Sequence, residues 1–272
     1  MKLAFTTLAC PDWDVETIVG KAKAYGYDGV DFRGTKEGLD ITTQAAFTSG
    51  IANTRSLIKG HGIIVSGISS SLRICDRELF DANVEEARRT VPLALELGAE
   101  QVRVFGYGDP AKSRAVWIDQ ARQCMDAIFE IDGADQINWL LEMHDYWIYS
   151  DVCLQLMNAI EHRRFKILWD VGHTSRIGGE TVEATFGALG ESVLCVHLKD
   201  AIEDASHPQA MKDGWRYVLP GRGQLPLAEA VSALKKSGYD GWYVFEHEKR
   251  WHRELEEPDV ALPAYVDWVR GV

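Results

Sequence analysis

No stretch of this sequence approaches the roughly 18 consecutive apolar residues that a membrane-crossing helix needs, so no membrane span is expected. The segment Met1–Cys10 has the outline of a secretory start. Its apolar part is short, however, carries Thr6 and Thr7, and runs into Pro11-Asp12, so a first β-strand accounts for it better than a signal peptide. Cysteine is sparse. Cys10, Cys75, Cys124, Cys153 and Cys195 are odd in number and scattered, and none forms a Cys-x-x-Cys pair. This argues against a disulfide framework or a thiolate zinc site and places the protein in a reducing cytoplasm. Positive charge is also short: 29 Lys and Arg face 41 Asp and Glu, a net charge of −12. Such a surface repels phosphate backbones, which counts against a nucleic acid partner. No Gly-x-Gly-x-x-Gly follows the first strand, which disfavours an open dinucleotide-binding sheet. Low-complexity segments and linkers are lacking as well.

What is present is a rhythm. The chain has 272 residues and 46% hydrophobic content, which suits one α/β barrel of roughly 250 residues. Short apolar runs predict strands near 3–7, 28–33, 63–69, 101–105, 138–143, 166–170, 193–198 and 242–247. Amphipathic stretches predict helices near 14–25, 42–60, 77–97, 111–130, 150–161, 179–189, 225–237 and 259–270, with Asp14 and Asp259 as capping signals. The alternation is that of a single-domain (β/α)8 TIM barrel over 1–272. Gly26-Tyr27-Asp28-Gly29-Val30 returns as Gly238-Tyr239-Asp240-Gly241-Trp242, each between a helix and a strand, where glycine suits a left-handed helix end. Two connections are long, from Arg33 to about Asp40 and from Asp200 to about Gly223. Both follow strands, so they lie on the catalytic face of a barrel.

Four residues close successive apolar runs: Glu142, Asp170, His197 and Glu246. Packing does not explain a charged or imidazole group at four strand ends. In a parallel barrel those ends converge on one face. Three carboxylates and one imidazole form a hard, oxygen-rich set suited to one divalent cation, Mn²⁺, Mg²⁺, Co²⁺ or Zn²⁺. Near them lie His173, His144, Lys199 and Glu248 as candidate substrate-binding groups. His144 and Glu248 lie two residues past a candidate ligand and share its face if the strands continue. Arg33 and Arg103 sit on the second and fourth strands. Each alone serves equally well as a structural hydrogen-bonding group or a surface ion pair. Trp139, Trp169, Trp242 and Trp268 belong to the core, whereas Trp147, Trp215 and Trp251 fall in loops, where they pack or meet a sugar ring.

These stretches carry a family resemblance. Leu140-Leu141-Glu142-Met143-His144, Trp169-Asp170-Val171-Gly172-His173, Val196-His197-Leu198-Lys199-Asp200, Pro220-Gly221-Arg222-Gly223 and Phe245-Glu246 follow in the order seen in the sugar isomerase/epimerase superfamily of xylose isomerase-like barrels. The first half of the chain matches only in barrel rhythm. The resemblance implies that Glu142, Asp170, His197 and Glu246 bind one metal, that Glu142 and Glu246 double as acid and base, and that His173 holds a substrate oxygen. It implies a sugar or keto-polyol isomerase or epimerase working through a metal-stabilised enediolate. Ketose 3-epimerases of this superfamily carry an arginine shortly after the seventh-strand histidine. Here the stretch is Lys199-Asp200-Ala201-Ile202-Glu203-Asp204, which makes Lys199 and Arg222 the candidate replacements. Dehydration of an inosose-like substrate uses the same site. The readings of another class are an endonuclease IV-like phosphodiester hydrolase, disfavoured by the charge, and a non-catalytic sugar-binding barrel. The expected partner is a small sugar or polyol, and a homo-oligomer stays open.

Overall fold

A computed structural model describes residues 1–272. Strands and helices alternate from β1 (Lys2–Thr6), α1 (Val15–Tyr25), β2 (Gly29–Phe32) and α2 (Ile51–His61) to β3 (Ile64–Arg73), α3 (Phe80–Leu97), β4 (Gln101–Phe105) and α4 (Arg114–Phe129). They continue through β5 (Asn138–Glu142), α5 (Ser150–Ile160), β6 (Phe165–Asp170), α6 (Val182–Leu189) and β7 (Val193–Leu198). A hairpin, β8 (Asp200–Glu203) and β9 (Trp215–Val218), precedes α7 (Leu227–Ser237), β10 (Trp242–Phe245) and α8 (Pro258–Gly271). Eight parallel strands close into a barrel in the order β1-β10-β7-β6-β5-β4-β3-β2. This is the (β/α)8 architecture expected from the alternation.

Two periodicities build it. Along each strand every second side chain faces the barrel axis. Ala4, Leu140, Leu168, Cys195, Trp242 and Val244 form a small apolar cluster of their own. The alternate residues, among them Trp139, Leu141, Ile167, Trp169, Val196, Tyr243 and Phe245, join the much larger core between barrel and helices. Burial of those large side chains is the main driving force for wrapping the helices onto the sheet. The repeated Gly-Tyr-Asp-Gly has a visible cause. Gly26 and Gly238 end α1 and α7 with φ of 82° and 77°, a conformation that costs a side chain dearly and glycine nothing.

Three local expectations change. The helix expected over 42–60 is two short 3-10 turns, Ile41–Thr43 and Ala45–Phe47, followed by α2 from Ile51. The Asp40 side chain accepts from the Thr42 amide, and such local bonds favour a turn over helix continuation. Strand β3 runs on to Arg73, with an irregular register between Ser69 and Arg73. Asp259 is not a cap: Pro258 opens α8, and Asp259 lies in its first turn, bonded to Lys21. The long connection after β7 carries a hairpin, because β8 and β9 pair antiparallel from Asp200↔Val218 to Glu203↔Trp215.

Asp200 anchors that connection. Its Oδ2 accepts the amides of Gly221 and Gly223, each at 2.9 Å, and its Oδ1 accepts that of Ala201 at 2.9 Å. A Cβ on Gly223 would lie 2.0 Å from Asp200 Oδ1, so the Pro220-Gly221-Arg222-Gly223 turn closes on the carboxylate only because glycine stands there. Asp200→Asn cannot accept at both oxygens. It should lower the free energy of unfolding by about 2 kcal/mol and expose the 204–223 segment to limited proteolysis. Urea unfolding curves that superimpose on wild type, with unchanged cleavage, would refute this anchoring role.

Candidate active site

The period of two that fills the barrel also builds the site. Two residues beyond inward-facing Leu140, Leu168, Cys195 and Val244 come Glu142, Asp170, His197 and Glu246. Strands β5, β6, β7 and β10 are neighbours in the barrel, so the four side chains meet on one arc of its mouth. One donor atom from each lies within 4.8 Å of the others, and all four residues are buried. His197 stands between the glutamates, its Nδ1 3.6 Å from Glu142 Oε1 and 3.4 Å from Glu246 Oε1.

The next residues along the strands line or close the mouth. Lys199 is buried and reaches three carboxylates, Asp170 Oδ2 at 2.8 Å, Glu246 Oε2 at 2.5 Å and Glu248 Oε1 at 3.1 Å. His144 Nδ1 lies 2.8 Å from Asp145 Oδ2, and its ring centroid is 4.2 Å from that of His173. His173 follows β6 in a single π-helical turn, Gly172 preceding it, and its amide donates to Asp170 Oδ1 at 3.0 Å. That bond fixes one Asp170 oxygen, and Lys199 sits at 2.8 Å from the other. Glu142, Glu246, Glu248, His144 and His173 all line one cavity of about 450 Å³.

The charges shift one another. Burial works to raise the Glu142 carboxyl, but Arg103 and His197 outweigh it and hold it well below the usual carboxylate range. Glu246 is held low in the same way, by Lys199 and His197 against burial. Burial would neutralise His197, yet Glu246, Cys195 and Glu142 favour its protonated form and raise it well above an ordinary imidazole. His173 goes the other way, because burial outweighs Asp170 and keeps the ring neutral. Burial raises the Glu248 carboxyl.

The residues present fit a divalent cation. Both ring nitrogens of His197 lack a hydrogen-bond partner although buried, and Glu142 Oε2 has only the misaligned Arg103 Nε at 3.3 Å. Such groups are costly unless something else satisfies them. The oxygen-rich donor set with one imidazole matches hard and borderline divalent ions.

Of the candidate substrate-binding residues, His144, His173, Lys199 and Glu248 are brought together with the four ligands. Arg222 is not: it is exposed on the turn beyond β9 and does not line the cavity. Trp147 is fully buried and donates to the Tyr107 carbonyl at 2.8 Å, whereas exposed Trp251 lines the cavity. Sequence reasoning missed Arg73, Tyr107, Tyr217 and His252 in the lining. Arg73 lies beyond the predicted end of its strand, and Tyr217 sits in the unforeseen hairpin. Asp31 was missed too, though a carboxylate between Val30 and Phe32 was a visible signal. It is buried at the axis, where a Cβ on Gly67 would lie 2.6 Å from its Oδ2.

Comparison with known proteins agrees with this architecture. The family model described as xylose isomerase-like TIM barrel matches residues 19–270. The L-ribulose-5-phosphate 3-epimerase UlaE of Escherichia coli (strain K12) is 23% identical over 198 residues, covering 69% of this chain and 63% of that protein's length. The crystal structure of the probable 3-DHS dehydratase AsbF from Bacillus anthracis superposes with a TM-score of 0.79 at 17% identity, over 99% of both chains. An IOLI protein with a binding zinc atom gives 0.80 at 15% identity, over 98% of this chain and 96% of that one. A D-psicose 3-epimerase determined in the presence of D-fructose gives 0.75 at 15% identity, over 100% and 99%. At these identities the structures share a fold.

Metal-free protein should gain thermal stability on addition of Mn²⁺, by about 2.7 kcal/mol at a hundredfold excess over the dissociation constant. Chelator should reverse the gain, and Asp170→Asn should abolish it while the fold survives by circular dichroism. A cation must displace the proton that the carboxylates favour on His197. Apparent affinity should therefore rise between about pH 6 and about pH 8 in calorimetric titrations. Equal stabilisation of wild type and Asp170→Asn would place the ion elsewhere.

Proposed function

This chain belongs to the xylose isomerase-like TIM barrel family, within the sugar isomerase/epimerase superfamily, and we propose that it is a metal-dependent isomerase or epimerase of a small keto-polyol. One observation carries the reading: two glutamates flank a histidine in a buried four-residue cluster that opens onto a cavity of about 450 Å³. That volume suits a monosaccharide-sized substrate.

Four residues, Glu142, Asp170, His197 and Glu246, would hold the cation. When bound, it would grip a substrate carbonyl and the adjacent hydroxyl and offset the negative charge that develops there as the α-proton leaves. Glu142 and Glu246, held below the ordinary carboxylate range, are ionised at neutral pH and so start as proton acceptors. One of them takes the α-proton over a short distance. Isomerisation returns that proton to the neighbouring carbon while the hydroxyl proton passes to the former carbonyl oxygen, so that carbonyl and hydroxyl exchange places. Epimerisation requires the other glutamate to gain a proton from solvent and deliver it on the opposite face, which inverts the centre. Dehydration would use the same first step, followed by loss of a neighbouring hydroxyl protonated by a glutamate. Neutral His173, buried at the rim, is placed to hydrogen-bond a substrate oxygen without adding charge. His144 and Glu248 supply further polar contacts around the mouth. Lys199 keeps Asp170, Glu246 and Glu248 from repelling one another.

Two sets of variants test the roles. Glu142→Gln and Glu246→Gln, first shown to retain metal, should each lose solvent exchange of the substrate α-proton by about 10²–10⁴-fold, read by NMR in D₂O over a panel of keto-polyols. Wild-type exchange in a metal-loaded Gln variant would remove that glutamate from the chemistry. His173→Ala should keep metal and fold while KM rises or kcat falls. Loss of metal from that variant would make His173 a ligand instead.

A further inference from the structure

The barrel mouth has a second arc, built from the half of the chain that carries the weaker family resemblance. Strands β2, β3 and β4 are adjacent in the barrel, and their ends bring Arg33, Arg73 and Arg103 to the lining of the same cavity that opens over the glutamates. Three arginines on one wall are unexpected in a chain with net charge −12. Their pairing is more telling. The buried cationic side chains are Arg33, Arg103, Lys199 and Lys249. Lys199 and Lys249 have carboxylates at 2.8 Å, on Asp170 and Glu257, and Arg103 Nε lies 3.3 Å from Glu142 Oε2. Arg33 has no ion pair within 4.0 Å, and its one side-chain hydrogen bond goes to Ser71 Oγ at 2.9 Å. Arg103 Nε and Nη1 also lack a hydrogen-bond partner. A buried guanidinium without its anion is costly, and two beside each other are costlier. Burial and the nearby Arg103 push the Arg33 pKa down to about 10, and the more distant carboxylates of Glu86, Glu142 and Asp31 only partly oppose them.

Aromatic rings cover the faces of two guanidinium groups on this wall. The Arg103 guanidinium lies 3.8 Å from the Phe105 ring centroid, and the Arg73 guanidinium 4.2 Å from that of Tyr107. The two rings meet edge to face at 5.5 Å. Tyr107 adopts a left-handed φ of 56°, and its carbonyl accepts from Trp147 Nε1 at 2.8 Å. Backbone strain of this kind persists where the surroundings enforce it, and it concentrates at functional sites. Guanidinium faces covered by aromatic rings leave the edge N–H groups for planar, bidentate recognition of an oxyanion.

We propose that the substrate of this site carries an anionic oxyanion group, a carboxylate or a phosphate ester, that docks on Arg33 and Arg73 across the mouth from the glutamate cluster. Arg103 stands between the two arcs and completes the cationic wall while it pairs with Glu142. The proposal rests on the reading of this mouth as the substrate site and narrows the keto-polyol to an acidic one. A neutral sugar would leave Arg33 with no anion in direct contact, whereas an acidic one supplies it.

Three probes of one carbon skeleton separate the chemistries: D-sorbitol, D-gluconate and D-sorbitol 6-phosphate. Each is titrated calorimetrically into the full-length protein with Mg²⁺ present and again after chelation, with metal content measured on the same samples. At least one anionic probe should bind about tenfold or more tightly than D-sorbitol in both conditions. Preference for gluconate alone assigns a carboxylate, preference for the phosphate alone assigns a phosphate, and preference for both supports the shared oxyanion chemistry. Arg33→Met and Arg73→Met should each erase most of that preference. Arg73 is exposed, so its variant keeps the test valid if the buried Arg33 variant fails to fold. Equal binding of all three probes, no detectable binding of either anion up to its solubility, or an anion preference retained in folded Arg73→Met would overturn the proposal. An arginine-dependent preference in protein that never takes up metal would leave the oxyanion site standing and defeat the metal reading. Metal uptake without anion preference would do the reverse.

Discussion

Everything at the mouth of this barrel depends on the mutual repulsion of carboxylates that the strand ends force together. Glu142, Asp170 and Glu246 are buried around His197, and Glu248 lies just above them. Like charges at such distances in a poorly solvated site repel strongly, and each pays a desolvation penalty besides. The chain answers with cations of its own. Lys199 bridges three of the carboxylates, Arg103 leans on Glu142, and His197 is driven toward its protonated form. A site balanced in this way is a natural place for a divalent ion, which concentrates more positive charge at one point than any of these side chains.

The same balance organises the mouth into two halves. Carboxylates from β5, β6 and the end of β10 gather around His197 of β7, and guanidinium groups line the mouth at β2, β3 and β4. Arg103 touches both. A ligand with a metal-binding keto-hydroxyl end and an acidic end would meet complementary charge along its whole length. Electrostatic complementarity of this sort favours orientation and discrimination more than raw affinity. In an epimerase or isomerase, orientation decides which proton is reached.

Rigidity and closure come from different parts of the chain. Each proposed ligand projects from a barrel strand or, for Glu246, from the residue just after one, and those strands are fixed on one side by the axial apolar cluster and on the other by the core beneath the helices. The elements that cover the mouth are instead turns and a hairpin. The β8–β9 hairpin brings Tyr217 over the cavity and is pinned at its base by Asp200, while the segment after β10 brings Trp251 and His252. Precise chemistry on strands and adaptable covering on loops is the division of labour that barrels of this kind permit.

The alternating pattern of the sequence was sufficient for the fold, because a period of two in short apolar runs and a longer period between them have one economical closure at this length. It was also sufficient to single out Glu142, Asp170, His197 and Glu246, because polar groups ending apolar strands stand out against hydrophobic neighbours. The arginine wall was less legible. Arg33 and Arg103 were visible as strand residues, but any arginine has an ordinary surface explanation, and Arg73 lay past the expected end of β3. Whether a guanidinium has a carboxylate beside it depends on residues far away in the chain, so Arg33 could be recognised as unpaired only in three dimensions. The same holds for Asp200 and Arg222. Both lie within stretches that carry the family resemblance, yet closure of the Gly221–Gly223 turn on Asp200 makes one an anchor and leaves the other in solvent. Periodicity is a local property and survives in sequence, whereas charge pairing is a sum over neighbours that only tertiary structure brings within reach.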